Sequence, residues 1–485
     1  MQFNSLEFLI FFPIVALLYY VIPTKIRWVW LLLSSYYFYM AWNPRYAVLI
    51  AVSTLITYGG GLLISKVKST GLKKLTVTLC VIANLGILFF FKYFTWILGN
   101  INTLFKLNAA PSFDIILPVG ISFYTFQALS YTIDVYKGET TVEKNLFKYA
   151  LFVSFFPQLV AGPIERSKNL LTQINETHKF DYQKVRDGLL IMMWGFFCKI
   201  AIADRCALTV NQVFDNYEEY AGLQILIAAV LFSIEIYCDF MGYSLIALGA
   251  AKVLGFNLMK NFEQPYFAGS IKEFWRRWHI SLSTWFRDYL YIPLGGSRCS
   301  KVRKYLNLLI VFSVSGLWHG AGWNYVIWGL LHGFYQVVSD VLIPIKRKIK
   351  DLFKVNTQIF SYRVIKAIPT FLLITFSWIF FRSATLSDAI NFIKRLFVPD
   401  IAFNLGILLT NDIYLLGLDS FNFNMLAVSV AILMAVGLIQ ERKGSLLELL
   451  NKQNIIFRYL CYWLIILIIV FSLNLSTQEF IYFQF

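Results

Sequence analysis

The chain has 485 residues, of which 58% are hydrophobic and 14% are charged, whereas soluble domains usually carry about 25% charged residues. Its 43 lysines and arginines outweigh 27 acidic residues, which gives a net charge of +16. This composition excludes an ordinary soluble enzyme. Apolar runs recur along the whole chain and are too long and continuous for the alternating strands of a membrane barrel, so we predict an all-α polytopic membrane protein.

The apolar runs predict helices in chain order, near residues 7–22, 28–43, 46–65, 75–98, 114–133, 146–162, 187–204, 221–238, 241–256, 305–318, 321–343, 362–381, 424–440 and 456–473. A full span needs about 20 residues, so the shorter runs are expected to be half-helices or re-entrant pieces among about 11–13 crossings. No polar stretch is long enough to bury a core of its own. Residues 1–485 are therefore predicted to form a single integral-membrane domain.

The positive charge is concentrated in short polar stretches between the apolar runs. These basic clusters lie at residues 66–74, 298–304, 346–350 and 442–443. In membrane proteins lysine and arginine mark the loops that stay in the cytosol. We therefore expect anionic membrane lipids as partners, and no nucleic acid.

Two segments with polar residues at membrane depth precede the most distinctive part of the chain. Residues 155–166 (FFPQLVAGPIER) contain two prolines that interrupt a helix, and Gln158 becomes a candidate substrate contact there. Residues 237–244 (YCDFMGYS) place Asp239, beside Tyr237, between two apolar runs. A carboxylate at membrane depth is costly unless it is paired. It either orients a histidine, as in a catalytic triad, or forms a structural ion pair with an arginine.

Residues 272–289 predict one amphipathic helix. At about 100° per residue, an aromatic stripe lies opposite a polar stripe that contains Arg276, His279, Ser283 and Arg287. One interpretation is an interfacial helix with its arginines on lipid phosphates. The other is functional: flanking arginines keep His279 neutral, because like charge disfavours the imidazolium, and a neutral ring can accept a proton or position a carbonyl.

Residues 315–324 (SGLWHGAGWN) surround His319 with glycines. Small residues let membrane helices approach closely, and they predict a helix break at 320–322. In one interpretation His319 is bonded to a carbonyl in a tight helix crossing. In the other, the glycines leave room for a substrate beside a proton-transferring imidazole. His332 is a much weaker catalytic candidate than His319, because it is expected to be a polar residue with its hydrogen bonds satisfied.

Several chemistries leave no signature in the sequence. The chain has no Walker loop, dinucleotide glycine fingerprint, HExxH or GxSxG motif, and its six cysteines include no CxxC pair. We therefore expect no metal and no resident cofactor.

Together these features resemble the membrane-bound O-acyltransferases. The segments that carry the resemblance are residues 5–9 (SLEFL), 155–166, 237–243, 275–296 with its WRRWHISLS core, 316–320 (GLWHG), 378–382 (WIFFR) and 482–485 (YFQF). The chain resembles most closely the AlgI-like branch of alginate and other polysaccharide O-acetyltransferases, to which the DltB-type D-alanyl transferases are related.

The resemblance implies His319 as the catalytic histidine and His279 as the second histidine. It implies a ring of helices around a central tunnel, with funnels from both faces meeting at the catalytic ring. The donor would be a cytosolic acyl thioester, either acyl-CoA or an acyl carrier protein. The acceptor would be a hydroxyl of an extracytoplasmic polysaccharide or partner protein, and the location the bacterial plasma membrane.

These expectations assign a role to each candidate residue. His319 would act as general base, and His279 would stabilise the developing oxyanion or bind the donor. Further candidate substrate contacts are Arg276, Arg277 and Arg287 for the anionic part of the donor, together with Ser283, Trp318, Asn324, Asp239, Tyr237 and Gln158. Two alternatives stay open: a transporter or channel that passes acyl groups or lipids without chemistry, and a structural anchor for a polysaccharide-export complex.

Overall fold

The computed structural model describes residues 1–107, 115–160, 162–354, 356, 359–398, 416–473 and 480–481. Within these ranges the regular structure is helical, and no strand occurs. The α-helices are α1 (Leu6–Val21), α2 (Arg27–Met40), α3 (Tyr46–Lys66), α4 (Thr70–Lys92), α5 (Phe94–Phe105), α6 (Ile121–Lys137), α7 (Leu146–Ser154), α8 (Phe156–Leu159), α9 (Ser167–Asn175), α10 (Tyr182–Phe196), α11 (Asp204–Asp215), α12 (Leu223–Val253), α13 (Ile271–Arg277), α14 (Ile280–Phe286), α15 (Lys301–His319), α16 (Trp323–Val341), α17 (Ile343–Leu352), α18 (Phe360–Arg382), α19 (Leu386–Arg395), α20 (Ser420–Lys443), α21 (Leu446–Asn451) and α22 (Ile455–Val470).

Among the described helices, five are long and apolar enough to cross a membrane: α3, α4, α12, α18 and α20. Helices α1 and α22 are apolar but shorter. The predicted class, an all-α polytopic membrane protein, is confirmed. The number of crossings stays a prediction, and the YFQF segment at residues 482–485 lies outside the described residues.

The two apolar runs on either side of Asp239 form a single helix, α12, of 31 residues. A helix satisfies its own backbone hydrogen bonds, so a charged side chain does not by itself interrupt a helix. The carboxylate needs only a cation nearby, and Lys199 supplies one.

The described chain packs as two compact units. Unit 1 comprises Met1–Gly195 and Tyr243–Lys260, and unit 2 comprises Phe196–Gly242 and Asn261–Phe485. The expectation of a single domain over residues 1–485 stays a prediction.

Unit 1 joins its helices through buried polar contacts and small residues. The hydroxyl of Ser53 on α3 donates to Oδ1 of Asn84 on α4 over 2.6 Å, and the hydroxyl of Tyr149 on α7 donates to that of Thr57 over 2.8 Å. A Cβ on Gly60 would overlap the Cys80 sulfur. In lipid the hydrophobic effect does not drive helices together, so close packing and interhelical hydrogen bonds of this kind hold them instead.

Unit 2 contains a tight hairpin of α15 and α16, which explains the glycine-rich sequence. A Cβ on Gly316 would overlap the carbonyl of Tyr325, and one on Gly329 would overlap the carbonyl of Phe312. The two helices therefore pack backbone against backbone. The break predicted at residues 320–322 is confirmed, because α15 ends at His319 and α16 begins at Trp323.

Candidate active site

The single amphipathic helix predicted over residues 272–289 is wrong. Helix α13 ends at Arg277, α14 starts at Ile280, and a π-helical turn follows at Arg287–Tyr291. Between the two helices, His279 adopts left-handed backbone angles of φ +43° and ψ 54°. A non-glycine residue in this conformation is uncommon and costs free energy of about 1–3 kcal/mol, so the surrounding structure must impose it.

Asn261 stabilises this break. Its carbonyl accepts the N–H of Ile280 over 3.0 Å, and its side-chain Oδ1 accepts the Ser281 hydroxyl over 2.7 Å. The hydroxyl of Ser283 donates to the carbonyl of Trp278 over 3.3 Å. These bonds satisfy polar groups that an uninterrupted helix would have paired internally. No sequence motif marks Asn261, because its importance depends on residues about 20 positions away.

The break separates His279 from the arginines that were expected beside it. The His279 side chain is fully buried, whereas Arg276 and Arg287 are exposed. Burial, rather than neighbouring positive charge, lowers the pKa of His279 to about 3. The prediction of a neutral imidazole therefore rests on a different cause from the one expected.

His279 and His319 lie close together in unit 2. Their ring centroids are 6.4 Å apart. His319 is the last residue of α15, is 2% exposed, and packs edge-on against Trp328 at 5.0 Å and against Phe381 at 5.5 Å. Two residues separated by forty positions in the chain thus share one buried environment, as the sequence analysis required.

Trp318 and Phe240 complete an aromatic cage around the two rings. Trp318 contacts both histidines, with centroid distances of 6.0 Å to His279 and 4.9 Å to His319. Phe240 meets His279 edge-on at 4.7 Å. Both imidazoles are buried by described residues of unit 2, and the funnels from both faces that the resemblance implied stay a prediction.

The two histidines occupy opposite kinds of helix end. His319 lies at the carbonyl end of α15, where the helix dipole is negative and favours a positive charge. His279 directly precedes the amide end of α14 and accepts the Ser283 N–H on its carbonyl over 2.9 Å. The helix dipole therefore favours positive charge beside His319 and negative charge beside His279.

His332 is satisfied by protein partners, as its low rank anticipated. The indole N–H of Trp275 donates to its Nδ1 over 3.3 Å, and its Nε2 is 3.1 Å from the hydroxyl of Ser377. An indole can only donate, so Nδ1 of the neutral ring is the acceptor and Nε2 carries the hydrogen. The Ser377 hydroxyl in turn donates a hydrogen bond to the carbonyl of Ile374 over 2.8 Å.

Of the two alternatives for Asp239, the ion pair is formed, but its cation is a lysine. Its Oδ1 lies 2.6 Å from the ammonium of Lys199, and its Oδ2 accepts the backbone N–H of Ile481 over 2.7 Å. The pairing is thus with a lysine, and not with a histidine or an arginine. Lys199 escaped the sequence analysis because it lies in an apolar run about 40 residues before its partner.

The other candidate substrate contacts lie in varied surroundings. The amide of Asn324 donates to the carbonyl of Ser383 over 2.9 Å and so ties the start of α16 to the end of α18. Tyr237 is buried, with its ring 5.3 Å from that of Tyr266. Gln158 belongs to unit 1, where its amide donates to the carbonyl of Phe152 over 2.9 Å. Their roles in substrate binding stay predictions.

Arg277 borders a cleft of about 440 Å³ within unit 2. Its guanidinium pairs with Glu273 at 2.7 Å and with Glu441 at 2.6 Å. Arg363 and Lys366 line the same cleft and are exposed. Three cations against two carboxylates leave this cleft with a positive balance, beside the basic cluster at residues 442–443.

The chain is similar to known proteins over most of its length. Residues 143–384, which include both histidines, match the model of the membrane-bound O-acyltransferase family. The probable alginate O-acetylase AlgI of Pseudomonas syringae pv. tomato is 40% identical over 398 residues, covering 80% of this chain and 74% of the relative. The peptidoglycan O-acetyltransferase of Helicobacter pylori is 35% identical over 391 residues, covering 75% and 72%. The teichoic acid D-alanyltransferase of Streptococcus thermophilus is 30% identical over 273 residues, covering 50% and 61%.

Proposed function

This chain belongs to the membrane-bound O-acyltransferase family and is a multi-pass O-acyltransferase, and we propose that it moves an acetyl group from a cytosolic thioester to a hydroxyl of an extracytoplasmic polysaccharide. The observation that carries this proposal is the 6.4 Å separation of the His279 and His319 rings inside an aromatic cage. Hydrogen bonds of about 2.8–3.0 Å from each ring can converge on one substrate group at this separation.

His319 is the general base of the proposed reaction. The acceptor hydroxyl loses its proton to the imidazole as its oxygen attacks the thioester carbonyl, and the thiolate then leaves with the electron pair of the carbon–sulfur bond. The carbonyl end of α15 stabilises the imidazolium that forms. Proton transfer of this kind typically contributes about 10²–10⁴-fold to the rate.

His279 donates a hydrogen bond to the carbonyl oxygen that becomes negative during the attack. Burial keeps its ring neutral, and a neutral imidazole still carries one N–H. The left-handed backbone at this residue, braced by Asn261, holds the ring in place before the substrate arrives. A donor already oriented towards the developing charge needs no reorganisation during the reaction.

The cleft beside Arg277 receives the anionic part of the donor. Its volume of about 440 Å³ suits a small-molecule ligand, and Arg363 and Lys366 offer cations towards solvent. Arg277 is held by two carboxylates, so an incoming phosphate competes with Glu273 and Glu441 for it. The donor is therefore an acyl-CoA or the phosphopantetheine arm of an acyl carrier protein, bound from the cytosol.

The relatives support the proposed acceptor and location. Their names specify acyl transfer to alginate, peptidoglycan and teichoic acid, which supports a polysaccharide acceptor outside the plasma membrane of a bacterium. A hydroxyl of an extracytoplasmic partner protein is the alternative acceptor. Acetyl is the acyl group named for the relatives that cover most of this chain.

A reconstitution assay tests the proposal. The purified protein in liposomes would be given acetyl-CoA labelled in the acetyl group, together with alginate oligosaccharides, and new ester would be quantified by mass spectrometry. The wild-type chain should form ester, the His319→Ala variant should lose at least about 100-fold of the rate, and His178→Gln in unit 1 should serve as the matched control.

The same assay separates the alternatives. A transporter or channel would carry label across the membrane without making an ester on the acceptor. A structural anchor would tolerate replacement of both His279 and His319 without loss of ester in cells. Full activity of a correctly inserted His319→Ala protein would contradict the assignment of the general base.

A further inference from the structure

A buried ion cluster in unit 2 is not used by the mechanism above. Lys199 lies in the π-helical turn Phe197–Ala203 that precedes α11. Its ammonium is 2.8 Å from Oδ1 of Asp204 and 2.6 Å from Oδ1 of Asp239, and the three side chains are at most 5% exposed. Charges removed from water in a membrane protein are costly to keep, and π-helical turns occur frequently at functional sites.

The cluster reaches the active site through a short series of contacts. Asp239 accepts the backbone N–H of Ile481 with its second carboxylate oxygen over 2.7 Å. The neighbouring Phe480 is fully buried, and its ring lies 5.9 Å from that of Phe240. Phe240 in turn meets the His279 ring edge-on at 4.7 Å. The residue that follows Asp239 in α12 is thus part of the cage.

We infer that Lys199 is a positioning residue: by fixing Asp239, it seats residues 480–481 against Phe240 and thereby holds the His279 ring. This inference rests on the proposed function in one respect: the His279 ring that is positioned must take part in acyl transfer. A second carboxylate, Asp204, shares the ammonium but has no part in the series of contacts that leads to His279. Lys199 and Asp239 therefore form the functional pair, and Asp204 balances charge.

An activity experiment separates these two carboxylates. Asp204→Asn keeps the Lys199–Asp239 pair and should keep the wild-type rate. Adding Lys199→Gln to Asp204→Asn leaves Asp239 without its cation, and kcat should fall about 100-fold, the cost of a misplacement of about 1 Å. The KM for the donor should not change, and Lys199→Arg should restore most of the rate. Equal rates for Asp204→Asn and the double variant would overturn the inference.

A substitution at Ile481 tests the same series of contacts without altering any charge. Ile481→Pro removes the N–H that Asp239 accepts, and Ile481→Val is the matched control that keeps it. Ile481→Pro should lower kcat to the same extent as the double variant. Combining all three substitutions should cause no further loss, since coupled residues are not additive. Full additivity would show that Lys199 and residue 481 act separately, and the inference would fail.

A labelling experiment reads the seating of residues 480–481 without any transfer reaction. Phe480→Cys would be introduced after replacing the two half-exposed thiols, Cys299 and Cys461, with alanine. A maleimide should label position 480 at least about 10-fold faster when Lys199→Gln accompanies Asp204→Asn than with Asp204→Asn alone, because local opening exposes a buried site. Equal labelling rates would refute the seating. Faster labelling together with no ester formation by the wild-type chain would uphold the seating and reject the proposed function.

Discussion

His332 and the His279–His319 pair lie in the same aromatic interior of unit 2, yet they are built differently. Trp328 packs against both His319 and His332, each at 5.0 Å. The two nitrogens of His332 are bonded to Trp275 and Ser377, whereas His279 and His319 face each other at the ends of two helices. Burial alone therefore does not identify a catalytic imidazole, and the arrangement of its neighbours does.

The largest loss of kcat that would separate the paired histidines from His332 is expected on replacing His279. Loss of one oxyanion donor typically costs about 10²–10³-fold in kcat. Asn and Gly both tolerate the left-handed backbone at this position, so His279→Asn and His279→Gly should insert normally and lose about 10²-fold of the transfer rate. Steady-state kinetics on purified protein would measure the loss, and wild-type kcat in either variant would remove His279 from the mechanism.

His332 should show the opposite behaviour. Its replacement by Leu leaves the Trp275 N–H without an acceptor, which costs about 1–3 kcal/mol of stability. We expect a lower thermal unfolding temperature in detergent, with kcat within a few-fold of wild type. Ser377→Ala, which removes the acceptor of the His332 Nε2–H, should cause a shift of similar size. A large fall in kcat at unchanged stability would break the distinction between the two environments.

The pH dependence of transfer distinguishes the two members of the pair. The pKa of His279 is lowered to about 3 by burial, so this ring stays neutral across the assay range, and the fall in kcat/KM at acid pH reports protonation of the base. His279→Asn should therefore lower the rate at every pH without moving the acid limb. A displaced or absent acid limb in His279→Asn would assign the titrating base to His279.

The free energy of unfolding should also depend on pH in the acid range. The pKa of His279 in the folded protein lies below the value of 6.5 for an unperturbed histidine. The unfolded state therefore binds the proton more readily, and stability should decrease as pH falls from about 6.5 towards 3. His279→Asn should make this decrease shallower in thermal unfolding scans, and an identical slope in wild type and variant would contradict the lowered pKa.

The smallest effect is expected at Arg277, which lies outside the cage. Arg277→Lys keeps the charge but loses the bidentate hydrogen bonds to the Glu441 carboxylate. It should raise the donor KM less than about 10-fold and leave kcat unchanged, the pattern of lost ground-state binding. Arg363→Gln, on the same cleft, is the matched comparison. A fall in kcat with an unchanged KM would instead place Arg277 in the chemistry.

The sequence by itself determined the class of protein and its candidate histidines. Long apolar runs require helices in lipid whatever their neighbours are, and the glycines around His319 allow a close hairpin through their size alone. These properties are local. The pairing of His279 with His319 could be anticipated because both lie in distinctive segments, and the resemblance of those segments to a known family pointed to the same two residues.

Tertiary structure alone decided how those residues are held. Helical periodicity placed His279 on a continuous stripe, but bonds to Asn261 stabilise a left-handed turn that no period of 3.6 residues encodes. Asp239 lies between two apolar runs of the sequence, but both runs belong to α12, and the cation that pairs with Asp239 lies 40 positions earlier. The reason is physical: periodicity and composition report the environment that each residue prefers, whereas the partner of a buried charge or an unpaired amide is fixed only when distant segments pack together.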